Sequence, residues 1–535
     1  MKLELVLIPS TGDGHLRPLV EVAKLLLDND DHLSITVIII PSMHGFQTTS
    51  YSSYIASLST TSNDRLRFSF ISSADRPNSP DAEPNFISYM ESYKPVVKAT
   101  VAKLTDSAQP PSSRLAGFVM DIFCTTMIDV ANDFGVPTYL FYPSNATFFG
   151  LQIHVQYLCD VEKCDIISEL KDSDTELEVP CLTRSLPAKC FPSVLLNKEW
   201  LPVFLRQARR FRETKGFLVN TFAELEPQAM SFLSSGDNNL PTVYAVGPVL
   251  SVENNGLDLA DDKQTEILRW LDDQPDRSVV FLCFGSMGGF SEDQAKEIAI
   301  ALERNGHRFI WCLRRATPMG PPEEFTNLEE ILPEGFLDRT SEIGKIIGWA
   351  PQRAVLASPA IGGFVSHCGW NSILESLWFG VPIATWPLYA EQQLNAFEMV
   401  EELGLGVEIR NHFQGVYMAE ETEMELMTAE EIERGVRCLM EKDSDVRDRV
   451  RKMSEKSHMA VMDGGSSHAA LVHYLVIQVF GIRLFGLRLE DEDRFSNLIC
   501  TGSRKPSEDL LVAIAGLIII NGIKESLLTH LLVTE

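Results

Sequence analysis

The chain contains one local pattern twice, and this repetition constrains its fold more than any other feature. Residues 3–28 and residues 278–306 each consist of a short apolar run, a glycine-rich turn and an amphipathic stretch with apolar residues at helical spacing. A strand that leads directly into a helix is the unit from which parallel sheets are built. Two such units in a chain of 535 residues predict at least two α/β domains.

Other short apolar runs bounded by turn residues supply the remaining predicted strands. They are residues 33–40, 65–71, 115–121, 137–142 and 216–222 in the first half, and 308–313, 345–350, 362–367 and 382–387 in the second. Alternation of such strands with helical segments predicts parallel sheets covered on both faces. We therefore expect an α/β fold of two Rossmann-like domains that face each other across a cleft. Ligands should bind at the carboxyl ends of the strands, where both glycine-rich turns lie.

Domain boundaries are predicted from a change in composition. Residues 241–265 are rich in Asn, Asp, Gly and Pro and have no apolar periodicity, which is typical of an interdomain linker. The first domain is then residues 1–240, and the second is residues 266–464.

Charge and cysteine content narrow the possible functions. The net charge of −28 disfavours a nucleic acid partner, and an anionic ligand must be held by local donors. The ten cysteines include no CxxC pair, and no metal-ligand spacing is present, so we expect reduced thiols and no metal. Cys124, Cys283 and Cys368 lie in apolar or tight contexts and are expected to be buried. The first residues lack the long apolar region of a signal peptide, which predicts a cytoplasmic protein.

The most informative segment for function is residues 349–392, whose side chains suit a nucleotide sugar. Trp349 offers an aromatic face for a base, and the turn His367–Ser372 leads into a predicted helix whose N-terminus favours a pyrophosphate. Glu375 can accept hydrogen bonds from ribose hydroxyls. Glu391 and Gln392 supply a carboxylate and an amide for the hydroxyls of a hexose.

A histidine in the first glycine-rich turn is a candidate general base. His15 follows the first strand and begins the first helix, at the mouth of the predicted cleft. A helix N-terminus disfavours the protonated imidazole and would keep it competent as a base near neutral pH. From the residues alone, a helix cap or a plain turn residue are equal alternatives. In the second turn, Gly285 and Ser286 allow the backbone to approach a phosphate or a sugar closely.

Residues 349–392 resemble, position by position, the signature box of plant secondary-product glycosyltransferases, which use UDP-sugars and have the GT-B fold. The resemblance assigns the uracil and ribose to Trp349, Ala350, Gln352 and Glu375, the phosphates to His367, Asn371 and Ser372, and the sugar to Trp370, Glu391 and Gln392. A glutamine at the last position of the box favours UDP-glucose over UDP-galactose.

The same resemblance gives roles to residues outside the box. It implies that His15 is the general base and that Asp121, at the end of a later strand, accepts the other imidazole N–H; capping of the next helix is the alternative for Asp121. Ser286 is expected on the diphosphate, and Ser144 near the sugar. A final helix at residues 465–480 should cross back to the first domain. Residues 481–535 depart from the family pattern, and we expect them to be a poorly ordered extension.

Together these features predict an inverting, metal-independent and monomeric glucosyltransferase without a cofactor. It would transfer glucose from UDP-glucose to a hydroxyl, or a carboxyl, of a small lipophilic plant metabolite such as a flavonol, a phenolic, a benzoate or an abscisic-acid-like compound. Two alternatives remain at this stage. A UDP-sugar epimerase would need acid and base groups around the sugar and no acceptor pocket, and a non-catalytic UDP-sugar-binding protein would bind the nucleotide without turnover.

Overall fold

The computed structural model describes residues 2–43, 48–76, 86–106, 113–170, 174–250, 262–317, 321–410 and 425–476. The extension predicted at residues 481–535 lies outside these residues, as does much of the predicted linker.

The first half of the chain forms a parallel sheet flanked by helices. Its strands are β1 (Lys2–Ile8), β2 (Leu33–Ile39), β3 (Leu66–Phe70), β4 (Ser113–Asp121), β5 (Thr138–Tyr142), β6 (Glu176–Leu177), β7 (Leu186–Pro187), β8 (Gly216–Val219) and β9 (Thr242–Ala245). Seven of them pair in the order β3-β2-β1-β4-β5-β8-β9, all parallel, while β6 and β7 form a separate antiparallel pair. The helices of this half are α1 (Asp13–Asn29), α2 (Thr49–Thr61), α3 (Phe86–Ser92), α4 (Lys94–Asp106), α5 (Ile128–Asp133), α6 (Ala146–Tyr157), α7 (Ile166–Glu169), α8 (Leu201–Arg210) and α9 (Pro227–Leu233).

The second half repeats this plan with a smaller sheet. Its strands are β10 (Val279–Cys283), β11 (Arg308–Cys312), β12 (Gly344–Ile347), β13 (Ile361–Ser366), β14 (Ile383–Thr385) and β15 (Gly406–Glu408). They pair in the order β12-β11-β10-β13-β14-β15, all parallel. The helices are α10 (Asp262–Asp272), α11 (Glu292–Asn305), α12 (Leu328–Ile331), α13 (Phe336–Thr340), α14 (Gln352–Leu356), α15 (Trp370–Trp378), α16 (Gln392–Phe397), α17 (Ala429–Met440), α18 (Asp445–Val461) and α19 (Ser466–His473).

The central strands are largely apolar because both of their faces are buried. In β1, Val6 and Ile8 pack into one hydrophobic core, while Leu5 and Leu7 pack into the core on the opposite face. This alternation is the two-residue period of a strand. Helices cover both faces, so a continuous apolar run is what such a strand requires.

The last described helix returns to the first sheet. The ring of Tyr474, directly after α19, is buried against Tyr139 of β5 and Tyr244 of β9, with ring centroids 5.1 and 5.8 Å away. The helix preceding it, α18, packs instead on α15 of the second half. The chain therefore crosses between the lobes just before α19, at the place where a returning helix was expected.

Two edge strands were not predicted from the sequence. Strand β9 lies inside residues 241–265, which were predicted to be the linker. The sheet of the first half therefore includes residues up to Ala245. Strand β15 has three residues and pairs with β14 alone. Among the described residues, no helix combines the length and apolar character needed to cross a membrane.

Candidate active site

One cavity of about 560 Å³ lies between the carboxyl ends of the two sheets. Every site residue predicted from the sequence lines it except Asp121, which is fully buried behind His15. The cavity is thus built from the two glycine-rich turns, the turn before α15 and the segments around Trp349 and Glu391. Residues that lie far apart in the sequence are brought together here because parallel strands present their carboxyl ends at one edge of a sheet.

His15 and Asp121 form a hydrogen-bonded pair at the first sheet. The Nδ1 atom of His15 lies 2.8 Å from Oδ2 of Asp121, and 27% of the histidine side chain is exposed. The other carboxylate oxygen, Oδ1, accepts the backbone N–H of Phe123 at 2.9 Å. Asp121 therefore makes both of the contacts considered from the sequence. It caps the helical turn after β4, and it also accepts a hydrogen bond from the imidazole. The side chain of His15 does not cap α1, since Gly12 occupies that position.

The protonation of His15 differs from the sequence-based expectation. Burial lowers the pKa of His15, but the charge of Asp121, its hydrogen bond and the charge of Glu391 outweigh burial, so the pKa lies above its usual value. The sequence predicted a disfavoured imidazolium from the helix N-terminus alone, and that prediction was wrong. The nearby carboxylates outweigh burial, which makes the imidazole a stronger base.

The N-terminus of α15 lies on the opposite wall of the cavity. Gly369 occupies the N-cap position without a side-chain cap, so the first backbone N–H groups of the helix have no intrahelical acceptor. The ring of His367 is held between Gly369 and Gly285. A Cβ atom at either glycine would lie 2.5 Å from Nε2 of His367, so neither position can accept a side chain without displacing the ring.

His367 is neutral at physiological pH. Burial, and secondarily the charge of Arg314, lower its pKa to about 3. Its Nδ1 atom is buried and has no hydrogen-bond partner among the described residues. A neutral imidazole beside a helix N-terminus suits hydrogen bonding to a phosphate oxygen.

Three polar side chains connect α14 with α15. The Nε2 atom of Gln352 donates to Oγ of Ser372 at 2.9 Å and to Oε2 of Glu375 at 2.7 Å. Burial raises the pKa of Glu375 to about 7, although Gln352 and two arginines act in the opposite direction. Trp349 is 45% exposed at this end of the cavity, while Ala350 beside it is buried. An exposed indole next to an amide and a carboxylate is suited to a base and its ribose.

Trp370 and Asn371 connect the two lobes. The indole N–H of Trp370 donates to the backbone carbonyl of Asn220 at 2.6 Å, and the side chain is 3% exposed. Asn371 donates to the carbonyl of Gly14 at 3.2 Å and accepts from Asn220 at 3.3 Å. The indole donor of Trp370 is thus used by the first lobe, so the sugar contact expected of Trp370 does not come from its indole N–H.

Ser144 and Glu391 meet across the cleft. The hydroxyl of Ser144, in the first lobe, donates to Oε1 of Glu391 at 3.0 Å. The amide oxygen of Gln392 accepts two backbone N–H groups, from Leu388 at 2.9 Å and Tyr389 at 3.0 Å. Its orientation is therefore fixed, and its NH₂ group is left as the donor at the cavity wall.

Arg314 was not identified from the sequence. It follows β11 and donates to the backbone carbonyls of Ser286 at 3.1 Å and Gly288 at 3.1 Å, and also to that of Gly285. It therefore shapes the second glycine-rich turn and places a cation in the cavity wall. The sequence did contain a signal for Arg314, since it is a basic residue directly after a predicted strand, where ligands of parallel sheets bind.

A pocket of aromatic side chains adjoins His15. Phe123 contacts the imidazole edge-on with ring centroids 5.2 Å apart, and it also contacts Phe86 and Phe204 at 5.4 and 5.8 Å. Phe148 and Trp200 extend this wall. The shape and apolar character of this surface suit a flat apolar molecule.

The described residues contain no group of three or more His, Cys, Asp or Glu side chains placed to hold a metal ion. Cys124, Cys283 and Cys368 are buried, as expected.

Two Rossmann-like lobes around a cavity with a histidine–aspartate pair on one wall and a helix N-terminus on the other define a GT-B glycosyltransferase. A family model described as UDP-glucoronosyl and UDP-glucosyl transferase matches residues 247–443. The chain is 73% identical over 480 residues to the Arabidopsis thaliana protein named UDP-glycosyltransferase 71B2, covering 89% of this chain and 98% of that protein. The chain belongs to the plant UDP-glycosyltransferase family.

Solved structures agree with this assignment. The fold is similar to that of a UGT transferase from Siraitia grosvenorii in complex with UDP, with 46% identity, a TM-score of 0.77, and coverage of 90% of this chain and 100% of that chain. It is also similar to UGT71G1 of Medicago truncatula complexed with UDP-glucose, with 40% identity, a TM-score of 0.75, and coverage of 89% and 98%. The chain is a GT-B enzyme of the UDP-glycosyltransferase class.

Proposed function

We propose that this enzyme transfers glucose from UDP-glucose to an oxygen of a small lipophilic plant metabolite, with inversion at the anomeric carbon. The observation that carries the proposal is the His15–Asp121 pair, 2.8 Å apart, between an aromatic pocket and the segments suited to a nucleotide sugar. The similar Medicago truncatula structure, complexed with UDP-glucose, supports the choice of donor.

In the proposed reaction, His15 takes the proton of the acceptor hydroxyl as the oxygen attacks the anomeric carbon. The bond from that carbon to the diphosphate oxygen breaks, and UDP leaves. Asp121 stabilises the imidazolium that forms, since its carboxylate already accepts the hydrogen bond of Nδ1. Attack from the face opposite to the leaving group in one displacement inverts the configuration. A carboxylate acceptor would need no deprotonation, so for it His15 would serve only in positioning.

The leaving diphosphate is proposed to bind at the N-terminus of α15. Its charge would be stabilised by the backbone N–H groups there, the neutral ring of His367 and the hydroxyl of Ser372, with Asn371 and Ser286 beside them. This wall supplies donors without a metal, and we propose that none takes part. We assign the uracil to Trp349 and Ala350, the ribose to Gln352 and Glu375, and the glucose to Glu391, Gln392, Ser144 and the backbone at Trp370.

The acceptor is proposed to be a flavonol, another phenolic, a benzoate or an abscisic-acid-like compound. The walls formed by Phe86, Phe123, Phe148, Trp200 and Phe204 suit a planar or compact apolar body. An epimerase, which rearranges its own sugar, has no use for such a pocket. We further propose that the enzyme acts as a monomer in the cytoplasm.

The test is incubation with UDP-glucose and a panel of phenols and terpenoid acids, with products read by mass spectrometry. We expect glucosides and equimolar UDP. In the His15→Ala variant, transfer to hydroxyl acceptors should fall by at least about 10²-fold, the usual contribution of a general base, while UDP affinity measured by calorimetry stays unchanged. Full transfer by this variant would remove His15 from the mechanism. Formation of UDP-galactose without an acceptor would favour the epimerase.

A further inference from the structure

Four charged side chains of alternating sign meet across the cleft beside the proposed ribose site. Arg17 and Glu21 come from α1 of the first lobe, Arg353 comes from α14, and Glu375 comes from α15. All four line the cavity. The charge of Arg353 acts on Glu375 and is itself influenced by Glu21, while Arg17 also acts on Glu375. Opposite charges therefore face each other between the lobes.

Arg353 is an unusual member of this group. Its side chain is buried at 8% exposure, and both Nε and Nη1 are buried without a hydrogen-bond acceptor in the described part of the chain. Its nearest ion pair is with Glu375, with 3.8 Å between Nε and Oε1. A buried guanidinium with unused donors carries a desolvation cost, so its retention beside a ligand site calls for a reason.

The reason lies in what Glu375 has to do. The two ribose hydroxyls donate hydrogen bonds, and an ionised carboxylate is an acceptor at both of its oxygens, whereas a protonated carboxyl presents an O–H donor at one of them. Burial raises the pKa of Glu375 to about 7, so this group is close to half protonated at neutral pH. Gln352 donates a hydrogen bond to Oε2, and the other carboxylate oxygen, Oε1, forms the ion pair with Arg353. The other titratable groups that face Glu375 are Arg17 across the cleft and the thiol of Cys283 at the end of β10.

We propose that Arg353 is a positioning residue for the donor nucleotide, which favours the ionised form of Glu375 and orients its carboxylate toward the vicinal hydroxyls of the ribose. This inference rests on the proposed function of the cavity. It assigns a role to a residue that neither the sequence pattern nor the proposed mechanism uses. It also explains why a cation is buried next to a carboxylate whose ionised form binds the ribose.

The test compares Arg353→Met and Arg353→Lys with the unaltered enzyme, using calorimetric titration with UDP from pH 6 to pH 9. Removal of the cation raises the pKa of Glu375 further, so Arg353→Met should weaken UDP binding about tenfold at pH 6, equivalent to one pKa unit. Because both proteins have an ionised Glu375 at high pH, the ratio of their dissociation constants should approach one by about pH 9. Arg353→Lys, which retains the charge, should recover most of the affinity. The phosphate of UDP titrates equally with every variant and cancels in the ratio.

A second ligand separates this role from simple structural damage. With 2′,3′-dideoxyuridine diphosphate, which lacks both hydroxyls, the Arg353→Met variant should bind as tightly as the unaltered enzyme at every pH. A pH-independent loss that is equal for both nucleotides would overturn the proposal, as would unchanged binding of UDP. If Arg353→Met fails to fold, as judged by thermal unfolding, the Arg353→Lys series with both nucleotides decides. For each protein, the ratio of the dissociation constants for the dideoxy nucleotide and for UDP is measured at each pH. If this ratio in Arg353→Lys differs from that of the unaltered enzyme by more than about threefold, the charge at position 353 is insufficient and the electrostatic role is contradicted. Binding is measured without an acceptor or a sugar, so these outcomes do not depend on whether glucose is transferred.

Discussion

At the scale of single residues, the most consequential contact joins His15 and Asp121. The carboxylate has two separate tasks, since Oδ2 pairs with the imidazole and Oδ1 accepts the N–H of Phe123. One side chain thereby fixes the direction of the ring and also ends β4. The hydrogen bond to Nδ1 leaves Nε2 as the nitrogen that can receive a proton from an acceptor.

Replacing Asp121 by Asn tests the electrostatic part of this contact. Asp121 helps to raise the pKa of His15, so its neutralisation should lower that pKa and move the acid limb of the kcat/KM profile to lower pH. The plateau should fall by about 10² to 10⁴-fold, because the imidazolium formed during transfer loses its stabilising charge. The asparagine Oδ1 can still accept from Phe123, so the melting temperature should stay nearly constant. An acid limb that does not move, or an unchanged plateau, would contradict this account.

Single residues also show what the sequence could not provide. The nucleotide box was readable because its aromatic, amide and acidic side chains occur in one continuous segment. The direction of the His15 pKa shift was not, because it depends on the balance between burial and the nearby charges of Asp121 and, to a smaller extent, Glu391 from the other lobe. The role of Arg314 was missed for a similar reason: its acceptors are backbone carbonyls of a turn more than twenty residues earlier in the chain. Such contacts are fixed by tertiary packing and leave no local pattern.

At the scale of elements, the start of α15 depends on two glycines that confine His367. Gly285 has a φ of +71° and is thus also in a backbone conformation that side chains disfavour, whereas Gly369, with a φ of −62°, is required only by the closeness of the ring. Substitution at Gly369 therefore probes ring placement without introducing backbone strain.

We expect Gly369→Ala to weaken UDP binding by about tenfold or more, a loss of about 1.4 kcal/mol for each factor of ten. The added methyl group would lie 2.5 Å from Nε2 of His367, so the ring would have to shift from its present position. The dissociation constant for UDP is the measurement. Gly236→Ala is a matched control, because no atom lies within 4 Å of its added methyl group. Unchanged UDP affinity in Gly369→Ala would show that the position of His367 is unimportant for binding.

The helices and the central strands were largely predictable from the sequence, whereas short strands at the sheet edges were not. Central strands such as β1 and β10 are buried on both faces, so their apolar runs stand out in the sequence. The missed strands β9 and β15 are short strands at the edges of their sheets, and the missed strands β6 and β7 have two residues each and pair only with each other. Edge pairing is decided by the neighbouring strand rather than by a distinctive run of side chains, and polar or turn-forming residues around it conceal the strand.

At the scale of the whole molecule, the two lobes are joined by a buried polar cluster behind the sugar end of the cavity. Glu226 accepts the backbone N–H groups of Ala146 at 3.0 Å and Thr147 at 2.7 Å. Glu398, from the other lobe, accepts from the side chains of Asn145 at 2.6 Å and Thr147 at 2.7 Å. Both carboxyl groups are 2% exposed. Two carboxylates this deeply buried and this close are held most favourably when one of them carries a proton.

This cluster predicts how the stability of the enzyme depends on pH. Burial, followed by the charge of Glu226, raises the pKa of Glu398 well above its usual value, so the folded protein retains a proton that the unfolded chain releases. The stabilisation is therefore complete below the ordinary pKa of a glutamate and is lost as pH rises toward the folded value, by at most about 1.4 kcal/mol per pH unit. Glu398→Gln has no such proton to lose. Its free energy of unfolding, relative to the unaltered enzyme, should increase steadily from about pH 5 upward.

Thermal unfolding across pH 5 to 9 measures this difference. Glu402→Gln is the matched control, since Glu402 also contacts the first lobe, through Thr183 and Arg184, but from a more exposed position. The difference in the free energy of unfolding between Glu402→Gln and the unaltered enzyme should not grow with pH. If Glu398→Gln and Glu402→Gln shift unfolding by the same amount at every pH, Glu398 is ionised in the folded protein. The lobes would then be joined by a charged carboxylate stabilised by its hydrogen bonds alone, and no proton would be shared between Glu226 and Glu398.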